Sequence, residues 1–288
     1  MDRGEIKILE ELNLTSNSVQ ETMLASFWCR ATYSKKYPEL LNDPLAIQIL
    51  DKIETKIDDY LQKFVAPKFM EEWRALLVLI RARAFDDAIK RAINEFPYLT
   101  IVNIGAGLNT GFSRVDNGKI KWFDLDLPDA IAFRKKLIPE TPRSKYIEKS
   151  VFDYDWFEEV GYDTDQGIFF TAGGVFMYFE EEKVRSLFIR MADRYSGGEM
   201  ILDSISKFAL RIANKRLKKQ GKENDFFHFG IANPVKQFAK WSDKIIVKDW
   251  YTSYSRTPRN PKWNDKTYKM MKIADRLKTA KIINIQFK

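Results

Sequence analysis

Apolar residues recur every three or four positions along the first third of the chain and gather into short unbroken runs beyond it. Between residues 19 and 33, Val19, Met23 and Phe27 share a helical face with the stem of Arg30. Asn42-Asp43-Pro44 reads as a turn into a second helix, with Pro44 at its first position. The spacing predicts a long helix from Pro67 to Phe96, with Leu76, Leu77, Ile80, Ala84, Ala88 and Ile89 among its apolar positions and Pro97 as its stop. The period then changes. Apolar runs at 99–104, 120–125, 146–147, 167–172, 198–205, 245–250 and 282–287 predict seven strands. Helical patterns at 128–137 and 180–195 fall between them, the second with Val184, Leu187, Phe188 and Met191 on one face. Strands alternating with helices predict an α/β fold, a mainly parallel sheet with helices on both faces. Ligands of such sheets bind at the carboxyl ends of the strands.

Composition narrows the chemistry. With 288 residues the chain is long enough for one large or two small domains, at about 150 residues per domain. Its single cysteine, Cys29, excludes an internal disulfide and fits a reducing cytosol. With one histidine, His228, no His-rich or Cys-rich metal site is expected, and any Ser-His-Asp scheme must use that residue. Residues 1–14 are charged throughout, without the apolar core of a leader, and the longest uncharged apolar stretch, 167–179, is too short to span a bilayer. A soluble, cytoplasmic protein is expected, with no membrane partner and no nucleic-acid partner. The net charge of +8 has a local source. Lys207, Arg211, Lys215, Arg216, Lys218, Lys219 and Lys222 share a stretch without an acid, which reads as a solvated helix face.

The unusual residues cluster where the strands end. Val102-Asn103-Ile104 runs straight into Gly105-Ala106-Gly107, and glycines after a first strand let backbone approach a ligand closely. The dinucleotide fingerprint G-x-G-x-x-G needs glycine at 110, where Thr110 stands, and the next glycine is Gly111. Asp124 and Asp126 follow Gly105 by 19 and 21 positions, where a carboxylate accepts the hydroxyls of a ribose; Asp126 could equally cap the helix after Pro128. Ser150-Val151-Phe152-Asp153 follows the third strand, where an apolar pair beside polar groups could sandwich an adenine, or Ser or Asp could equally cap a helix from Trp156 onward. Thr171-Ala172-Gly173-Gly174 follows the fourth, leading to Val175-Phe176-Met177-Tyr178-Phe179, whose aromatics could wall a pocket or pack in the core. Arg81, near the end of the long helix, could clamp a carboxylate or pair with Asp86 or Asp87.

In order and spacing these segments resemble the leucine carboxyl methyltransferase superfamily, in its bacterial branch similar to tetracenomycin-type polyketide O-methyltransferases. The resemblance runs from Glu21-Thr22-Met23-Leu24 through Arg81-Ala82-Arg83-Ala84-Phe85-Asp86, the glycine turn, Phe123-Asp124-Leu125-Asp126-Leu127-Pro128 and Gly174-Val175-Phe176-Met177-Tyr178 to Gly230-Ile231-Ala232-Asn233-Pro234. It implies a Rossmann-like class I methyltransferase of one domain: a helical cap over 1–95, a core of 96–206 and 243–288, and a lid insertion at 207–242. It implies S-adenosylmethionine (SAM) as cofactor and S-adenosylhomocysteine (SAH) as product. Arg81 would hold the methionine carboxylate, Gly105 and Gly107 would pass beneath the methionine and ribose, and Asp126 would bind the ribose hydroxyls. Val151 and Phe152 would flank the adenine, and Ala172 and Gly173 would lie near the methionine amino group. The acceptor would be the hydroxyl or carboxyl oxygen of a small molecule, with Tyr178 and His228 as the candidate bases for a hydroxyl. The chain departs from the family twice: Gly173 stands where glutamate is common, and Leu108-Asn109-Thr110-Gly111 where Leu-Asp-Thr-Arg is. The residues also leave open an NAD-dependent oxidoreductase, a basic nucleic-acid-binding module, and a family member that binds cofactor without transferring a methyl.

Overall fold

The protein is described by a computed structural model over residues 18–53, 71–219, 221–223 and 226–288. The expectations placed on residues 1–17 and on 67–70, and the side chains of 18–22, lie outside that description.

Seven strands form one sheet in the order β3-β2-β1-β4-β5-β7-β6. They are β1 (Thr100–Ile104), β2 (Lys121–Asp126), β3 (Ser144–Glu148), β4 (Ile168–Ala172), β5 (Glu199–Ile205), β6 (Ile245–Thr252) and β7 (Ala280–Phe287). The first five pair in parallel, and β7 runs antiparallel to both β5 and β6. Strands β1 and β4 are buried along their whole length. A central parallel strand has helices on both sides, which is why these two read as unbroken apolar runs. Side chains alternate between two cores. Val102, Ile104, Phe170 and Leu202 join Trp156, Phe188, Phe238 and Trp241 on one face. Ile101, Phe169, Ile201 and Ile282 meet Phe85, Ala88, Ile89 and Ala92 on the other.

The N-terminal layer is helical: α1 (Ser18–Lys36), α2 (from residue 44) and α3 (Glu72–Glu95). Asp43 caps α2, its carboxylate accepting from the Ala46 amide at 3.1 Å. Helix α3 ends one residue before the Phe96-Pro97 pair, since Phe96 precedes a proline and leaves the helical region. One part of α3 covers the sheet, while Ala75 and Val78 enclose Cys29 of α1. Burial pushes the Cys29 thiol up to about 12.

The remaining helices are α4 (Gly111–Val115), α5 (Pro128–Lys135), α6 (Trp156–Val160), α7 (Glu181–Arg194), α8 (Lys207–Lys219), α9 (Pro234–Trp241) and α10 (Asp265–Arg276). The stretch expected to form a lid divides in two. Helix α8 has no buried residue, and Phe208 and Ile212 are exposed among its cations. Beyond it Phe229, Ile231, Phe238 and Trp241 belong to the main core. Among the described residues no helix is long and apolar enough to cross a membrane.

Candidate active site

The turn after β1 is built on two left-handed glycines, Gly105 at φ +64° and Gly107 at φ +46°. A side chain at Gly105 would overlap Val175, and one at Gly107 would press on Met23 of α1. The turn is closed by the cap on one side and by the segment after β4 on the other. Its backbone then meets the end of β2. The Gly105 amide donates to the Leu125 carbonyl at 2.8 Å, and the Gly107 amide donates to the Asp126 carboxylate at 2.8 Å.

Strand alternation gives the two aspartates of Asp124-Leu125-Asp126 opposite fates. Asp124 is fully buried and accepts from Asn103, from the Trp122 indole and from Arg134 at 2.7–2.9 Å. Arg134 also donates to the Gly107 carbonyl at 2.9 Å, so Asp124 positions the glycine turn. Asp126 faces the turn. Burial raises its carboxyl above the usual range, opposed by the Gly107 and Leu127 amides. It makes no cap: α5 starts from Leu127 without a side-chain cap bond.

A second buried assembly ties the cap to the core. Asp43 accepts from Arg30 at 2.9 Å, Arg114 at 2.6 Å and the Thr110 hydroxyl at 2.5 Å. Arg30 reaches on to the Leu108 carbonyl at 2.6 Å, and Arg114 forks onto Asp86 at 2.7 and 2.9 Å. Burial alone would push the Asp43 carboxyl up, but the Arg30 and Arg114 guanidinium groups and the Thr110 hydroxyl hold it below the ordinary carboxylate range. Thr110 therefore stands where the dinucleotide fingerprint wants glycine because its hydroxyl is part of this clamp. Gly111 packs against the Trp122 ring, and the guanidinium of this turn belongs to Arg114, one helical turn onward.

Arg81 pairs with neither Asp86 nor Asp87. Asp86 is taken by Arg114, and Asp87 meets Arg83 at 3.7 Å. Arg81 instead crosses the ends of β4 and β5 and donates to Asp203 at 2.8 Å. It lies against Gly173 and Gly174, where added side chains would meet its guanidinium. Ala172 is buried at the end of β4.

The aromatic residues after β4 split between core and rim. Phe176 is buried against Phe188. Phe179 stays half-buried, with its ring edge-on to Phe152 at 4.7 Å, and Tyr178 meets Phe227 at 5.2 Å. Val151 is packed in the core, and its carbonyl accepts from Trp156, so Phe152 is the open member of that pair. His228 is exposed. Its Nδ1 lies 2.9 Å from Glu180, and its amide donates to the Met177 carbonyl at 2.8 Å. Sequence reasoning missed Met23, Val175 and Asp203 as parts of this site. Asp203 carried no local signal in the sequence, being one acid in the second half of an apolar strand.

The sheet order is that of the Rossmann-like class I methyltransferase fold, and the glycine turn, Asp126 and Arg81 lie at the carboxyl ends of its strands. The solved structure of a DUF574-family protein from Streptomyces avermitilis shares the fold, with a TM-score of 0.57 at 12% identity over 90% of this chain and 97% of that one. The chain is 28% identical to the tetracenomycin polyketide synthesis O-methyltransferase TcmP of Streptomyces glaucescens, covering 78% of this chain and 79% of the relative. It is 24% identical to the S-adenosyl-L-methionine-dependent methyltransferase dpfgK of Gibberella zeae, over 74% and 76% of the two chains. The family model for leucine carboxyl methyltransferase matches residues 23–192, more than half of the sequence. The chain belongs to the leucine carboxyl methyltransferase family and is a SAM-dependent methyltransferase.

Proposed function

We propose that the protein transfers a methyl group to a hydroxyl or carboxyl oxygen of an apolar, polyketide-like small molecule. The observation that carries this reading is the likeness, along most of both chains, to an O-methyltransferase of polyketide synthesis. The rim supports it: Phe179 and Tyr178, on the segment whose Val175 packs on the glycine turn, pair their rings with Phe152 and Phe227, a surface suited to a flat apolar acceptor.

The residues present fit the cofactor. The guanidinium of Arg81 matches an amino-acid carboxylate, the carboxylate of Asp126 matches a ribose diol, and Gly105 and Gly107 leave the backbone open to close approach. Gly173 and Ala172 sit under the amino-acid end, and Phe152 with Val151 on the adenine side. SAM supplies an activated sulfonium methyl, so the protein's task is position and electrostatics. A carboxylate acceptor needs no base. For a hydroxyl acceptor Tyr178 and His228 are the candidate bases, His228 with Glu180 2.9 Å from its Nδ1. Closure of the cap over the cleft would exclude water during transfer.

The test is chemical. The protein is incubated with methyl-labelled SAM and a panel of phenols and aromatic carboxylic acids, and the product is treated with mild alkali. Label released as methanol marks an ester; where label is retained, NMR of the product locates the methyl, and a methyl on oxygen marks an ether, so that either oxygen product upholds the reading. Label on nitrogen or carbon overturns it, as does binding of NAD in preference to SAH.

A further inference from the structure

Resting on the assignment of Arg81 as carboxylate anchor, we infer that Asp203 binds the α-ammonium group of the cofactor, replacing a carboxylate that this chain lacks at position 173. Leu202 of β5 is paired in register with Ala172 of β4, so Asp203 stands beside Gly173, one strand over. Its two oxygens are divided between two partners. Oδ1 accepts from the Gly174 amide at 2.6 Å, and Oδ2 accepts from Arg81 at 2.8 Å. The backbone bond fixes the carboxylate in place, and the arginine bond is the exchangeable one.

The paired glycines make this arrangement sterically possible. A Cβ at Gly173 would lie 3.3 Å from the Phe85 ring and 3.4 Å from Arg81 Nε, and one at Gly174 would lie 3.0 Å from an Arg81 terminal nitrogen. With no side chain at either position, Arg81 passes over the end of β4 and reaches β5. The family's glutamate would sit under that path. Asp203 supplies a negative charge one strand to the side of that position.

The Arg81–Asp203 pair keeps 20% and 15% of its side chains exposed, so solvent reaches it. It is the complement of an amino-acid zwitterion. Carboxylate and ammonium attached to one carbon can enter between guanidinium and carboxylate, so one ion pair becomes two and no charge is left unpaired. The neighbouring acids are otherwise engaged: Glu180 with His228, Glu181 with Gln237, and Asp126 with the glycine turn. A ligand with the carboxylate but without the ammonium has to compete with Asp203 for Arg81. Asp203 is thus a device for selecting the intact zwitterion.

The experiment is calorimetric titration with SAH and with the SAH analogue whose α-amino group is replaced by hydrogen. Wild-type protein should prefer SAH by about tenfold or more, the worth of one charge-assisted hydrogen bond. Asp203→Asn should erase most of that preference, weakening SAH while leaving the analogue within about threefold of wild type. Asp203→Glu should keep the preference. Equal affinity of wild-type protein for the two ligands overturns the inference without any variant. Equal losses for both ligands in Asp203→Asn overturn it too, since a purely structural role would act on both alike. Absence of SAH binding by wild-type protein overturns the cofactor site itself and the inference with it.

Discussion

Arg114 and Arg81 each meet an aspartate near the carboxyl edge of the sheet. Arg114 keeps 5% of its side chain exposed and Arg81 keeps 20%. Around Arg114 the polar partners are shared out: two aspartates and a threonine hydroxyl receive its donors, and Arg30 completes Asp43 from the opposite side. Around Arg81 the structure gives one carboxylate, a pair of glycines and partial exposure to solvent. The same residue types therefore make a scaffold in one place and a receptor in the other. What separates them is how many donors are already satisfied and whether solvent reaches the pair. A buried network has no use for a ligand, whereas a half-open pair offers both its charges to one.

The comparison breaks most severely at Asp43. Replacing it by alanine leaves the Arg30 and Arg114 guanidinium groups buried without their shared acceptor, and the expected loss is about 3–5 kcal/mol in urea unfolding. A loss below about 1 kcal/mol would show that the clamp is no scaffold. Arg81→Ala should do the reverse, costing less stability than Asp43→Ala, since solvent reaches its pair with Asp203, while weakening SAH by at least about tenfold. Comparable damage to stability and affinity would erase the distinction between the two regions.

The smallest effect sharpens the comparison from a third cation. Lys281 is fully buried and has no acid partner among the described residues; it donates to the Ile231 carbonyl at 2.8 Å and the Lys278 carbonyl at 3.3 Å. Burial lowers its ammonium to about 8, with help from the Lys278 charge. Between about 8 and its unfolded value of 10.5 the unfolded chain holds the extra proton, so this residue makes stability rise with pH across that window. Relative to Lys281→Met, wild-type protein should gain at most about 1.4 kcal/mol per pH unit there. Parallel stability–pH curves for the two proteins would refute the burial of an unpaired charge.

Much of this was legible in the sequence, and the part that was not has a physical reason. The glycine turn and Asp126 announce themselves because local backbone demands and strand ends fix them within a few residues. The burial of β1 and β4 was visible as unbroken apolar runs. Strand direction was not: the periodicity of Ile282 to Phe287 is the same whichever way β7 runs. The Asp43 clamp was hidden because its members lie 13, 67 and 71 residues from it. Asp203 was hidden in Met200-Ile201-Leu202-Asp203, where one acid closes an ordinary apolar strand; only the pairing of β4 with β5 places it next to Gly173. Helix α10 gave a signal that went unread, since Asn264 caps it by accepting from the Thr267 amide at 2.8 Å.

The enclosed Cys29 turns the cap into its own clock. Its thiol sits between α1 and the Ala75–Val78 stretch of α3, unionised and out of reach of alkylating reagents while those helices are together. Each labelling event on the native protein is therefore a record of the two helices parting, and its rate measures the free energy of that local opening. Because α3 also carries Arg81, a ligand that engages the arginine stiffens the surface the thiol hides behind. Occupancy of the cleft becomes readable as protection of a sulfur atom that never touches the ligand.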